Sequence, residues 1–264
     1  EQEMRTKVKY YIVSGHTVET VISRIDINAR YQKPRRKRIA GKSTEKKIKA
    51  NEIAQQRSLA RTINCNFGTG DMWTTLKFDN IRLPSSRDEA EKIAEKIVKK
   101  LRARFKTKHG YNPKYIYTVS DVDARTGKPT RLHIHILMNR LAYDDLAALW
   151  PQDQISYEIL DSRADHTALA RYIYANGDSR PHKKHWHSSR GLAKPIYTEP
   201  EPAAEDEIAP LKDAVTKDYV LNYDDEYGLM SAYRREVVKT PLRVAGGHIV
   251  LPEKAKRRKA GKVE

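Results

Sequence analysis

The sequence lacks features that several classes of protein require. Its 264 residues include one cysteine, Cys65, so no disulfide framework and no cysteine-rich zinc site can form within one chain. A reducing, cytoplasmic location is therefore expected. No run approaches the roughly 18 apolar residues that a membrane span needs, so we expect no membrane partner. The P-loop pattern is also missing, so a fused helicase motor is not supported.

Acidic residues are too few to balance the basic ones. The chain has 51 Lys and Arg against 34 Asp and Glu, which gives a formal net charge of +17. Such an excess favours a polyanionic partner, most often nucleic acid, and a generically basic surface is the alternative. Hydrophobic residues make up 39% of the chain, which is enough to build a core within one large domain or one domain with appendages.

Apolar periodicity predicts an α+β protein. Period-two runs predict a hairpin and four further strands, at 8–26, 72–78, 115–120, 131–139 and 155–159. Spacings of three and four residues, with capping residues, predict helices at 44–64, 86–108, 143–150 and 167–176. A short polar turn joins 115–120 to 131–139, so these two strands are expected to be antiparallel neighbours. We predict an antiparallel sheet with helices packed on one face.

The most informative strand is Arg131–Asn139, in which His133 and His135 alternate with apolar residues. Residues two apart in a strand point to the same face, so the two imidazoles project side by side, while Leu132 and Ile134 project to the other face. Two imidazoles roughly 6–7 Å apart on one face can converge on one divalent ion. The alternative is a polar sheet face with two solvated histidines.

Three segments together resemble the HUH endonucleases, the nicking enzymes of rolling-circle replication, plasmid mobilisation and some transposition. His133-Ile134-His135 is similar to their metal motif, in the form found in phage and plasmid replication initiators. The stretch 66–78 resembles the first motif strand of that branch. Residues 170–174 and 188–195 resemble its tyrosine helix and the loop that follows. The resemblance covers roughly residues 60–196 and implies a central antiparallel sheet of about five strands.

The resemblance also suggests a division of the chain. Residues 61–197 would be the nuclease core, preceded by residues 1–60, which carry the hairpin, a basic arm and a helix. Residues 198–210 are acidic and proline-rich and are expected to be a linker or an exposed loop. Residues 211–264 would form a small, strand-rich C-terminal region with a basic tail.

Two tyrosines compete for the role of nucleophile. Tyr172 and Tyr174 lie two positions apart on a predicted helix, about 200° apart in rotation, so they cannot both face one phosphate. Leu169 and Ile173 mark the buried side, and the tyrosines flank it from opposite directions, so geometry alone does not choose. The pattern of the resembled family places the nucleophile after Ala-x, which matches Tyr172. Ordinary half-buried packing is the alternative role for either side chain.

The resemblance implies that His133 and His135 bind Mg²⁺ or Mn²⁺, with a third ligand from a neighbouring strand. Two imidazoles leave room for such an oxygen ligand and for phosphate oxygens, whose growing charge the ion would neutralise. Asp121 and Asp123 end the preceding strand, and Asp121 is the favoured candidate. An ordinary turn residue is the alternative.

A basic loop after the tyrosine helix is a candidate for DNA contact. Its residues Lys183, Lys184, Trp186, Arg190 and Lys194 could clamp single-stranded DNA, with the indole stacked on a base. The resembled family commonly has a lysine three residues after its tyrosine, where this chain has an alanine, and the basic residues of this loop could supply that charge. A solvated basic loop is the alternative.

Two further groups of residues are candidates for binding. The N-terminal arm includes Arg35, Arg36 and Arg38, whose contacts with phosphates would release counterions, and a solvated arm is the alternative. A second metal cluster formed by the loop histidines, which are His182, His185 and His187, is less favoured than DNA contact.

Together these features predict a metal-dependent enzyme that nicks and joins single-stranded DNA through a 5′-phosphotyrosine intermediate. It would initiate rolling-circle replication of a phage, plasmid or integrated element. Its partners would be single-stranded DNA at a replication origin, for example an origin hairpin, and the host helicase and polymerase. Three alternatives stay open: a relaxase or transposase with the same site, a non-catalytic basic nucleic-acid-binding protein, and a hydrolytic metal nuclease that uses water.

Overall fold

The computed structural model describes residues 5–26, 44–123, 126–151, 154–162, 164–180, 183–204, 207–224 and 228–250. These residues form four helices and several antiparallel sheets, which confirms the predicted α+β class. The chain divides into two compact units. The histidine unit is Lys37–Pro195, and the terminal unit combines Glu1–Arg36 with Ile196–Glu264. The N-terminal hairpin therefore belongs with the C-terminal strands.

The helices are α1 (Glu45–Asn66), α2 (Arg87–His109), α3 (Tyr143–Leu149) and α4 (Thr167–Ala175). The strands are β1 (Arg5–Ser14), β2 (Thr17–Asp26), β3 (Met72–Lys77), β4 (Tyr115–Val122), β5 (Pro129–Met138), β6 (Ile155–Ile159), β7 (His187–Ser188), β8 (Ile196–Tyr197), β9 (Glu201–Pro202), β10 (Ala214–Asp224), β11 (Gly228–Val238), β12 (Arg243–Ala245) and β13 (His248–Val250). No helix in this described part of the chain has both the length and the apolar character that a membrane crossing requires.

The histidine unit is built on a five-stranded sheet in the order β6-β3-β5-β4-β7, in which every neighbouring pair is antiparallel. The predicted pairing of β4 with β5 is confirmed. The histidine strand β5 therefore lies at the centre. His135 is level with Thr75 of β3, and His133 is level with Lys77 of the same strand.

Helices pack on both faces of this sheet, which corrects the prediction that they lie on one face. Helices α2 and α3 cover one face, where the buried strand residues are Met72, Leu76, Tyr117, Val119, Ile134, Ile136 and Met138. Helices α1 and α4 cover the other, histidine face. Ile116 and Leu137 project from that face, and they pack against Leu59, Ile63 and Ile173 of the two helices. The second cover forms because these apolar strand residues would otherwise face water.

The helix boundaries follow from local sequence. The Ser86 hydroxyl accepts a hydrogen bond from the backbone N–H of Glu89 at the start of α2, and Gly110 ends that helix at a φ of 77°. Its buried side repeats at spacings of three and four residues, as predicted, and consists of Ala90, Ala94, Ile97, Val98, Leu101 and Phe105. In α1 only the second half is buried, at Leu59, Ala60 and Ile63, whereas Ile48 and Ile53 are exposed.

The terminal unit contains a second antiparallel sheet, in the order β10-β11-β2-β1-β8, with β9 also paired to β1. The predicted N-terminal hairpin is β1–β2, and β2 pairs on its other side with β11. Ile22, Ala232 and Ile208 form its buried centre. The stretch 198–210 runs along β1 for part of its length, where the backbone N–H of Thr198 donates to the carbonyl of Tyr11. Strands β12 and β13 form a separate small hairpin.

Candidate active site

The two histidines of β5 meet on one face of the sheet, as the alternation predicts. Their Nε2 atoms are 3.0 Å apart, and the rings are nearly perpendicular, at 89°. Ile134 and Ile136 point the other way, into the core beneath α2. The two Nε2 atoms, each of which could bind a metal ion, therefore face each other.

The other ring nitrogens have partners that orient the imidazoles. Nδ1 of His133 donates to the carbonyl of Arg131 at 2.8 Å, which leaves a lone pair on its Nε2. Nδ1 of His135 lies 2.9 Å from the hydroxyl of Thr75, which can either donate or accept. Such outer hydrogen bonds are typical of metal-binding histidines.

The spacing fits an octahedral metal ion. Two ligands at about 2.1 Å from an ion, with a right angle between them, are about 3.0 Å apart, which is the distance between the two Nε2 atoms. Burial lowers the pKa of His135 to about 3, with additional contributions from His133 and Lys77. Burial also lowers the pKa of His133. Both imidazoles are therefore neutral at pH 7, the form that binds metal.

Tyr172 of α4 lies beside the histidine pair. Its Oη is 3.4 Å from Nε2 of His135, and the side chain is half-buried. The indole of Trp73 stacks on His135, with ring centres 4.9 Å apart, and meets the ring of Tyr172 edge-on at 6.0 Å. A phenol, the histidine pair and an aromatic support thus converge from α4, β5 and β3.

Tyr174 points into the core instead. It is buried between α1 and α4 and stacks on His185, with ring centres 4.0 Å apart and planes 8° from parallel. Burial raises the pKa of its phenol. Of the two predicted tyrosines, the structure therefore brings Tyr172 to the histidines and does not bring Tyr174.

The end of α4 is bound to the neighbouring strand β4. The Asn176 amide donates to the carbonyl of Tyr172 at 2.8 Å, and its amide oxygen accepts a hydrogen bond from the Ser120 hydroxyl at 2.7 Å. Ser120 is level with His133 in the sheet. The buried guanidinium of Arg87 donates to the backbone oxygen of Asn176 at 3.1 Å. The tyrosine and the histidine strand are thereby held in one framework.

The two aspartates predicted as a third ligand face different ways. Asp121 lies at a register shift in β4 and accepts a hydrogen bond from Arg87 at 2.5 Å, so its carboxylate is engaged there. Asp123 lines the cavity that holds both histidines. Among the described residues, no carboxylate oxygen lies within 4.8 Å of ligand nitrogens of both histidines. Within the described part of the chain, the two histidines are therefore not joined by a carboxylate in a cluster of three close ligands.

A second group of potential ligands lies elsewhere. Oxygens of Asp88, Glu91 and Asp178 lie within 4.8 Å of one another and could hold a metal ion. Two arginines already neutralise them, however. Arg180 is 2.7 Å from Asp88 and 2.6 Å from Asp178, and Arg87 is 3.7 Å from Glu91. The Arg180 guanidinium holds the pKa of Asp88 below its ordinary range. This cluster is an ion-pair network that joins α2 to the end of α4.

None of the described residues of the basic loop after α4 lines the histidine cavity. Lys183 pairs with Asp88 at 3.4 Å, and Trp186 packs against Tyr174 in the core. The remaining predicted loop contacts are exposed, namely Lys184, Arg190 and Lys194. His187 stacks on Tyr117 of β4. The arm residues and one loop histidine lie outside the described residues, namely Arg35, Arg36, Arg38 and His182.

Three residues of β3 belong to the site and were not predicted as part of it. Trp73, Thr75 and Lys77 share the histidine face. Thr75 and Lys77 line a cavity of about 590 Å³ together with both histidines and Tyr172. The sequence feature that could have identified them is the alternation along 72–78, which places these three side chains on one face. The structure adds that β3 is the neighbour of the histidine strand.

Comparisons with known proteins find no matching family model, no matching curated protein and no matching solved structure.

Most of the net charge of the chain lies in the unit that contains the histidines. Lys37–Pro195 holds 31 of the 51 Lys and Arg and 17 of the 34 Asp and Glu, so it carries +14 of the net +17. The unit that contains the histidines is therefore the more polycationic of the two.

Proposed function

We propose that the chain is a metal-dependent endonuclease that nicks and joins single-stranded DNA through Tyr172, and that it initiates rolling-circle replication. One observation carries this proposal. The Oη of Tyr172 is 3.4 Å from Nε2 of His135, which is 3.0 Å from Nε2 of His133. A nucleophile and a pair of metal ligands are thus within reach of a single phosphate.

The reaction is a transesterification. The phenolate oxygen of Tyr172 attacks phosphorus, and the phenolic proton passes to solvent. The bond from phosphorus to the leaving 3′ oxygen breaks, and that oxygen takes up a proton to become a free 3′-OH. Attack of a 3′-OH on the phosphotyrosine reverses these steps and joins the strand, because one phosphodiester is exchanged for another of similar energy. The 5′-phosphotyrosine polarity is the one that the HUH resemblance implies.

The remaining residues have supporting roles. Mg²⁺ or Mn²⁺ bound by His133 and His135 would neutralise charge on the phosphate oxygens. His135 is a ligand rather than a general base, since burial keeps its pKa at about 3. Trp73 and Asn176 orient His135 and Tyr172, respectively. The net charge of +14 on the histidine unit supports binding to a polyanion such as DNA.

The test does not require the target sequence to be known. The protein is incubated with Mn²⁺ and a pool of random single-stranded oligonucleotides labelled at the 3′ end, which stays on the protein in a 5′-phosphotyrosine adduct. Covalent adducts are separated on denaturing gels. We expect an adduct with wild type that is lost in EDTA, in His135→Ala and in Tyr172→Phe. Tyr174→Phe is the matched control on the same helix and should still form the adduct.

The other outcomes identify the competing functions. Cleavage without an adduct that persists in Tyr172→Phe would indicate a hydrolytic metal nuclease. DNA binding that is equally tight in EDTA, with neither cleavage nor adduct, would indicate a non-catalytic binding protein. An adduct lost only in Tyr174→Phe would keep the enzyme class and reassign the nucleophile.

A further inference from the structure

Lys77 faces the same cavity as the histidine pair and Tyr172. It ends β3, is level with His133, and its side chain is exposed on the histidine face. Its backbone is fixed on both sides, because its N–H donates to the carbonyl of Gln154 at 2.9 Å and its carbonyl accepts from Nε1 of Trp150 at 3.1 Å. The ammonium is therefore presented to the cavity by an inner strand of the sheet.

Across the residues that the structure describes, Lys77 takes part in no ion pair, so none of them neutralises its charge. Arg131, the other basic residue lining this cavity, is engaged by the end of β3 and the loop after it. Its Nε donates to the carbonyl of Phe78 at 3.1 Å, and its Nη1 donates to Asn80 at 2.8 Å. Among the described residues that line this cavity, Lys77 is thus the basic residue whose charge is available to a ligand.

An ammonium beside two metal ligands needs an explanation. Its charge opposes the binding of any cation there, and it also contributes to lowering the pKa of both His133 and His135. The arrangement becomes favourable when an anion occupies the cavity, because both the ammonium and a metal ion then attract the same negative charge. A phosphodiester is an anion with two non-bridging oxygens, so it can bind both cations at once.

We propose that Lys77 binds a non-bridging oxygen of the DNA phosphate that occupies this cavity together with the metal ion. This inference rests on the proposed function, in which that phosphate is the one attacked by Tyr172. It adds Lys77 to the catalytic residues. The ammonium stabilises the charge that grows on the phosphate oxygens during attack. It would supply the positive charge that the sequence led us to expect from Lys183, Lys184 or Arg190 in the basic loop.

The test compares Lys77→Met with wild type in three measurements. The Mn²⁺ affinity without DNA, measured by electron paramagnetic resonance, should rise about threefold or more, because a repelling charge is removed. The affinity for a single-stranded oligonucleotide in EDTA at low salt should fall about threefold, because a phosphate contact is lost. The rate of adduct formation should fall about a hundredfold. Lys77→Arg should restore most of the rate.

Lys99→Met is the matched control. Lys99 is an exposed lysine of α2, which packs on the opposite face of the sheet, so its replacement removes the same charge away from the cavity. Lys77→Met values equal to those of Lys99→Met would overturn the proposal. If wild type forms no adduct, the proposed function fails, and the Mn²⁺ affinity and the DNA affinity then decide whether Lys77 contacts a phosphate. Tighter Mn²⁺ binding with weaker DNA binding supports a phosphate contact, and the absence of either change overturns it.

Discussion

His135 should make the folded protein less stable as the solution becomes acidic. Burial lowers the pKa of this imidazole from its ordinary value of 6.5 to about 3. Below pH 6.5 the unfolded chain binds a proton at His135, whereas the folded protein does not. The stability that is present above pH 6.5 is therefore lost progressively as the pH falls from 6.5 toward 3.

The expected loss can be worked out from this difference. The free energy of unfolding should fall by about 1.4 kcal/mol for each pH unit below 6.5, so His135 alone should remove about 2 kcal/mol at pH 5. His133 should add to the loss, because burial lowers its pKa as well. Replacing His135 by asparagine removes the titrating group, and the new amide can keep a hydrogen bond to Thr75.

Urea denaturation at pH 7.5 and pH 5.0 measures this effect. EDTA is included, because bound metal would add stability of its own. Wild type should lose about 2 kcal/mol more than His135→Asn between the two pH values. Between pH 7.5 and 8.5 the two proteins should change in parallel, since His135 is then neutral in both the folded and the unfolded states. Equal losses between pH 7.5 and 5.0 would refute the reasoning.

Three further predictions concern neighbouring features. Gly177→Ala should lower the free energy of unfolding in urea by about 1–3 kcal/mol, because the new Cβ would lie 2.4 Å from the carbonyl oxygen of His185. The control is Gly68→Ala, whose Cβ meets nothing within 4 Å, and equal stability of the two variants would contradict this prediction. Asn176→Ala should slow adduct formation about tenfold at unchanged DNA affinity, because it removes the amide that links the carbonyl of Tyr172 to the hydroxyl of Ser120. An unchanged rate would show that these hydrogen bonds do not position the tyrosine. Asp178→Asn should leave the Mn²⁺ affinity unchanged, because Arg180 neutralises the acidic cluster. A loss of Mn²⁺ affinity as large as that caused by His133→Ala would place the ion in that cluster.

Strand periodicity was sufficient to predict the arrangement of the histidines. Alternation along β5 has a period of two residues, so His133 and His135 must share a face once the segment is a strand. The same rule placed Lys77 with Thr75 and Trp73. Lys77 was not predicted in the site, because the resembled family commonly has its lysine three residues after the tyrosine, which directed the expectation of a basic residue to the loop after α4 and not to β3.

Other parts of the site depend on packing that the sequence does not reveal. The choice between Tyr172 and Tyr174 depends on what covers α4, and His185 stacks on Tyr174 from a loop that has no regular pattern. The orientation of Asp121 depends on a register shift in β4 and on Arg87, which comes from another helix. Helices pack on the histidine face of the sheet because Ile116 and Leu137 are apolar and project from it. That these two side chains lie together is apparent only when the strand register is known.

The pairing of β2 with β11 means that the histidine unit is inserted within the sequence of the terminal unit. During synthesis, all strands of the histidine sheet are available once Pro195 has been made, whereas β2 gains its second partner, β11, only when the chain reaches residues 228–238. Until then, β2 presents an unpaired edge, which is a site for pairing with foreign strands. A nascent or truncated chain thus carries its risk of aggregation in the first hairpin, while the histidine cavity can already be complete.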